Sequence, residues 1–169
     1  QKAGNNTFLL QNKDIYLDML TDSGVNAMSD RQTAAMHLAD DSYAGSETFN
    51  RLKTAMKEVF GTDNILPAHQ GRACENILAE RFVKPGMIAI MNFHFTTTKA
   101  HVTRCGGEVV EVLHKKGLIP QSDDPFKGDM DLQELRRVIE QYTPEKVAYA
   151  RVAAGTNLMG GRRASLAHM

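Results

Sequence analysis

The sequence predicts an α/β fold with a mainly parallel sheet flanked by helices. Three observations carry this. Strand-like and helix-like segments alternate at short spacing from residue 64 onward, as in successive βαβ units. The run Met87-Ile88-Ala89-Ile90-Met91 is apolar without interruption, the pattern of a strand buried on both faces. Polar or glycine-containing turns close the strand-like runs, where open parallel sheets place their ligands.

Residues 1–28 read as an N-terminal arm, and 29–169 as the packed domain. Asn5-Asn6 interrupts any helix, 14–20 reads as a strand, and Thr21-Asp22-Ser23-Gly24 makes a polar turn. Ser29 stands three residues before Gln32, the spacing of a capping box, and opens a helix that Asp40-Asp41-Ser42 ends. Ser46 caps the next helix, with Phe49, Leu52, Met56, Val59 and Phe60 on one face and Gly61 at its C-terminus.

Asn64-Ile65-Leu66 reads as a short strand, and Ala73, Ile77, Leu78 and Phe82 recur at helical spacing. Between them, Pro67-Ala68-His69-Gln70-Gly71-Arg72 puts a glycine where strand gives way to helix. Such a turn leaves backbone N–H groups unpaired at a helix N-terminus and favours an anion. Gln70 can add a donor; Arg72 can add charge or pair with Glu75. On this stretch alone a plain turn, in which glycine only relieves a steric problem, accounts for the residues more simply.

Lys84-Pro85-Gly86 then turns the chain into the strand at 87–91, with Asn92-Phe93-His94-Phe95 past its end. Thr96-Thr97-Thr98 caps a helix to residue 104, Gly106-Gly107 leads to a strand over 108–113, and 114–128 is loop. Asp131 with Glu134 opens a helix bearing Leu132, Leu135, Val138, Ile139 and Tyr142. The strand 146–153 follows, with Gly155-Thr156-Asn157 just beyond it. Gln70-Gly71-Arg72, Phe95-Thr96 and Asn157 would then lie along one edge, within reach of a single ligand.

Composition excludes several classes. The 169 residues suffice for one core. Twenty basic and twenty acidic residues cancel, which argues against a nucleic-acid or membrane-surface partner. Neither a membrane-spanning run nor a signal peptide is visible. Cys74 and Cys105 fit no metal spacing; two free thiols point to a cytoplasmic setting. His69 and His94 read as hydrogen-bonded structural histidines.

Eight stretches, in order and at compatible spacing, resemble the aromatic amino acid β-eliminating lyases, the family of tyrosine phenol-lyase and tryptophanase. They include Ala3-Gly4-Asn5-Asn6-Thr7-Phe8, Leu20-Thr21-Asp22-Ser23-Gly24, Tyr43-Ala44-Gly45-Ser46, His69-Gln70-Gly71-Arg72, Phe95-Thr96-Thr97-Thr98, Phe126-Lys127-Gly128-Asp129 and Asn157-Leu158-Met159-Gly160-Gly161. The resemblance implies the large domain, in part, of a pyridoxal 5′-phosphate (PLP)-dependent, aminotransferase-like enzyme of fold type I. It implies that Gln70, Gly71 and Arg72 hold the cofactor phosphate, that Phe95 stacks on its ring, and that Asn157 hydrogen-bonds its phenolic oxygen or the substrate carboxylate region. Thr21 would lie near the substrate. Tyr43 would be the general acid toward the leaving aromatic carbon, since a phenol keeps its proton at neutral pH. Gly24 and Asp41 would belong to a potassium site.

The implied reaction is β-elimination of tyrosine to phenol, or of tryptophan to indole, with pyruvate and ammonia, by a homotetramer. Thr96 after Phe95, and Asn26-Ala27-Met28-Ser29-Asp30, lean toward tyrosine. Three differences from the family pattern stand out: Asp41 where glutamate is usual, Arg162-Arg163 where Gln-Pro is usual, which disturbs the loop geometry there, and Thr33 where Trp is common. The family's Schiff-base lysine, pyridinium-pairing aspartate and carboxylate-binding arginine would lie beyond residue 169. The expectation is therefore that these residues alone do not turn over substrate. The alternative is a non-catalytic piece that binds a phosphate-bearing ligand or assembles with partners.

Overall fold

The apolar run at 88–91 forms the middle strand of a three-stranded parallel sheet, since it supplies apolar side chains to both faces. The computed structural model describes residues 3–17 and 28–168, which divide into two units, 1–65 and 66–169.

In the first unit, helices α1 (Asp30–His37) and α2 (Glu47–Phe60) start where the capping residues predict. Ser29 Oγ accepts from the Gln32 N–H at 3.1 Å, and Ser46 Oγ from the Phe49 N–H at 3.1 Å. Gly61 ends α2 at φ 74°, a left-handed conformation that only glycine adopts without strain. None of the described residues of this unit is buried. The arm forms two 3-10 turns, Thr7–Leu9 and Asn12–Asp14, so the strand expected from residue 14 does not begin there. Thr21 and Gly24 lie outside the described residues.

The second unit runs α3 (Gly71–Phe82), β1 (Ile88–Met91), α4 (Thr96–Arg104), β2 (Glu108–Glu111), α5 (Leu132–Tyr142), β3 (Val147–Arg151), then a short antiparallel pair, β4 (Gly155–Thr156) and β5 (Arg162–Arg163). The sheet order is β2-β1-β3, with both pairings parallel. Alternation along β1 splits the core. Ala89 and Met91 pack with Ala79, Val83 and Val102 of the α3–α4 side, whereas Ile88 and Ile90 pack with Val112, Met130 and the α5 residue Val138. Asp131 Oδ1 accepts from the Gln133 and Glu134 N–H groups, which fixes the start of α5. Among the described residues no helix is long and apolar enough to cross a membrane.

Three expectations need correction. No strand forms at 64–66, where Leu66 is exposed and no neighbouring strand offers a partner. β2 stops at Glu111, after which Leu113 bridges to Met130. β3 stops at Arg151, because the Asn92 side chain takes both backbone groups of Ala153 in place of a strand. Arg162-Arg163, read as a disturbance of loop geometry, builds β5. Arg163 lies over the Phe126 ring at 5.2 Å, and its Nε donates to the Pro125 carbonyl at 3.1 Å. The backbone approach there is close. A Cβ on Gly128 would stand 2.6 Å from the Arg162 carbonyl oxygen.

Candidate functional site

The segment leaving β1 is built around Asn92, which is fully buried. Its Nδ2 donates to the carbonyls of Gly128 at 2.7 Å and Ala153 at 2.9 Å, and its Oδ1 accepts from the Ala153 N–H at 2.9 Å. Both amide hydrogens are used, so the carboxamide is satisfied without water. These bonds tie the end of β1 to the segment leaving β3. Between the two lies a cleft of about 340 Å³, lined by His94, Phe95, Arg151, Asn157 and residues 152–156. Phe95 is the residue before α4 and is 37% exposed. His94 beside it is held by Glu111, whose Oε1 lies 2.5 Å from Nδ1 and accepts from the His94 backbone N–H at 2.9 Å.

At the start of α3, Gln70 makes no capping bond; its amide nitrogen lies 2.9 Å from His69 Nε2. Both histidines are thus hydrogen-bonded, as expected. Gly71 is the first helical residue. Nothing lies within 4 Å of the point where its Cβ would stand, and its φ is not left-handed. Steric relief within this chain therefore does not explain the glycine, whereas close approach of a ligand would. The second half of the turn is tied down one helical turn later. Glu75 accepts from the Thr97 hydroxyl and from Thr98 Oγ1 at 2.5 Å, and its Oε1 lies 2.9 Å from Arg151 Nη1. Arg151 also donates to the Thr98 hydroxyl. Burial works to raise the Glu75 pKa, but the two threonine hydroxyls and the Arg151 charge outweigh it and hold the carboxyl below its ordinary range. Glu75 pairs with Arg151, not with Arg72.

Phe95 and Asn157 therefore share one cleft. Gln70, Gly71 and Arg72 do not line it, and no strand delivers them to the sheet edge. The helix that they open, α3, packs on α4, which starts just after Phe95. A second, mostly apolar cavity of about 320 Å³ between α3 and β3 is lined by Cys74, Leu78, Phe82 and Tyr149, and shares Arg151 with the first.

In the first unit, Tyr43 and Asp41 are exposed on the segment between α1 and α2. The neighbouring Asp40 carboxylate accepts from Ser46 Oγ and from the N–H groups of Glu47 and Thr48 at 2.9–3.1 Å, and so anchors the start of α2. Among the described residues no group of three or more His, Cys, Asp or Glu side chains could hold a metal ion.

Two structural hubs escaped the sequence reading. Asn92 carried a signal, a carboxamide directly after an all-apolar strand. Arg151 carried a weaker one, a charge closing a strand whose partner lies 76 positions earlier at Glu75 and cannot be read from spacing.

Comparison with known proteins places these features in a family. The profile described as Beta-eliminating lyase matches residues 18–169. The tyrosine phenol-lyase of Fusobacterium nucleatum subsp. nucleatum is 43% identical over 169 residues, covering 100% of this chain and 37% of the relative. That of Nostoc punctiforme is 45% identical over 168 residues, covering 99% and 36%. That of Symbiobacterium thermophilum is 41% identical over 169 residues, covering 100% and 37%. The chain thus spans a little over a third of the length of these curated relatives. A parallel sheet flanked by helices, with a cleft past its carboxyl edge, accords with the fold type I architecture, and the chain belongs to the β-eliminating lyase family.

Proposed function

We propose that the chain is the N-terminal arm (1–28) and the first part of the large domain (29–169) of a cytoplasmic, PLP-dependent lyase. The enzyme eliminates the side chain of an aromatic amino acid, and tyrosine is the favoured substrate, giving phenol, pyruvate and ammonia. The observation that carries the reading is the cleft past the ends of β1 and β3, with Phe95 and Asn157 on its lining. It is supported by the tyrosine phenol-lyases among the relatives.

The residues fit the cofactor. An uncapped helix N-terminus with open space above Gly71 suits a phosphate. A half-exposed phenylalanine face suits an aromatic ring, and the Asn157 amide suits a phenolic oxygen. Gln70, Gly71 and Arg72 would hold the phosphate, Phe95 would bear on the ring, and Asn157 would orient it. Bound there, the cofactor supplies a sink for the electrons left when the α-proton of the substrate is removed. The Tyr43 hydroxyl would donate its proton to the ring carbon that carries the leaving group, and Thr21 would lie beside the substrate. Tyr43 is exposed in this chain, which suits a residue acting toward another subunit of a homotetramer. The Asp41 carboxylate and the Gly24 carbonyl are hard oxygen donors suited to potassium.

The test is product release by the complete enzyme, of which these residues are the proposed first part, loaded with PLP. Phenol and pyruvate formed in equal amounts from tyrosine, with tryptophan a poor substrate, is the expected result. Indole formed faster than phenol would reassign the substrate. Neither product, from protein that binds PLP, would favour the non-catalytic reading.

A further inference from the structure

The Glu75 network joins two features that the proposed function assigns to different parts of one ligand. Gly71 and Glu75 are four residues apart, so they share a face of α3. Thr97 and Thr98 come two and three residues after Phe95, in the first turn of α4. The Glu75 side chain, 16% exposed, accepts from both threonine hydroxyls, and Arg151 closes the set by donating to Thr98 and lying 2.9 Å from Glu75. A carboxylate at the first turn of α4 is also favoured by that helix's dipole. Three elements, α3, α4 and the end of β3, meet at one ion pair.

We propose that Glu75 and Arg151 are positioning residues that fix the distance between the phosphate-binding turn at 70–72 and the ring-bearing face of Phe95. Neither side chain needs to touch the cofactor. The pair sets the spacing between two helix starts, and the ligand must match that spacing to use both. The proposal rests on the cofactor reading above.

Two ligands separate the effects. PLP engages both the turn and the ring face, whereas pyridoxal, without the phosphate, engages only the ring face. The complete enzyme, freed of cofactor, is titrated with each, and the circular dichroism band of the bound chromophore is recorded. Glu75→Gln and Arg151→Met should each weaken PLP roughly tenfold, as loss of a charge-assisted contact does. They should weaken pyridoxal much less and reduce the band per bound PLP. Arg151→Lys, which keeps the charge, should recover part of the loss. A merely structural role would lower the melting temperature but leave the PLP-to-pyridoxal ratio and the band unchanged, and that result would overturn the proposal. Equal losses for the two ligands would overturn it as well. If Glu75→Gln fails to fold, Thr97→Val and Thr98→Val remove the same hydroxyls at nearly constant shape, and the same ratio decides. Wild-type protein that binds neither ligand would take the cofactor reading down with the proposal. Binding by the wild type with an unchanged ratio in the variants defeats the proposal alone.

Discussion

At the scale of single residues, two glycines make opposite predictions. Gly128 lies against the carbonyls of Arg162 and Arg163, backbone atoms that cannot swing aside. Gly128→Ala should cost about 3 kcal/mol, read as a lowered denaturant midpoint with unchanged slope. Gly71 has open space above it and sits at the first position of a helix. Gly71→Ala should leave stability unchanged or raise it by up to about 1 kcal/mol, while PLP affinity falls. A loss of stability at Gly71 without a loss of affinity would point to a plain turn. The residues themselves were legible to different depths. Gln70, Phe95 and Asn157 stand out as polar or aromatic residues at element ends. Glu75 reads as an ordinary helix-surface carboxylate, and only the packing of α3 on α4 shows that it is mostly buried.

At the scale of elements, three of the four expected helix caps hold, whereas Thr96-Thr97-Thr98 lie inside α4, which Phe95 precedes without a side-chain cap. Ser29, Ser46 and Asp131 each place a side-chain acceptor at the predicted helix start, because that chemistry is local and needs no tertiary partner. Strand ends were less readable, since they depend on what competes for the backbone. Asp40 adds a pH-dependent element end. Hydrogen bonds from Thr48, Ser46 and Glu47 hold its carboxyl well below the ordinary carboxylate range. The unfolded chain therefore binds this proton more readily than the folded one. The stabilisation is present above about pH 4 and is lost as pH falls through the lower folded-state value. The protection factors of the Glu47 and Thr48 amides should fall at acid pH before that of Val138, in the middle of α5. Asp40→Asn should show fast exchange at neutral pH already. Equal protection of α2 and α5 at all pH values would refute this.

At the scale of the molecule, the buried hydrophobic residues among those described lie in the second unit, while Phe49, Leu52, Val59 and Phe60 of α2 are exposed, as are Leu78 and Phe82 of α3. The amphipathic spacing of α2 was legible, but not which surface it meets. The 169 residues on their own should bind a hydrophobic dye and associate in a concentration-dependent way, measured by sedimentation velocity. A dye-silent monomer would mean that these side chains find cover within the chain.

The Asn92 carboxamide also has a meaning in time. Its partner Ala153 lies 61 residues further along the chain. At a synthesis rate of roughly 5–20 residues per second, that interval lasts on the order of 3–12 seconds, during which β1 has emerged but neither β3 nor the acceptor at Ala153 has. Until then only the Gly128 carbonyl, 36 residues after Asn92, is available to the carboxamide. The bonds that tie the end of β1 to the segment leaving β3 thus form only after Ala153 has been made.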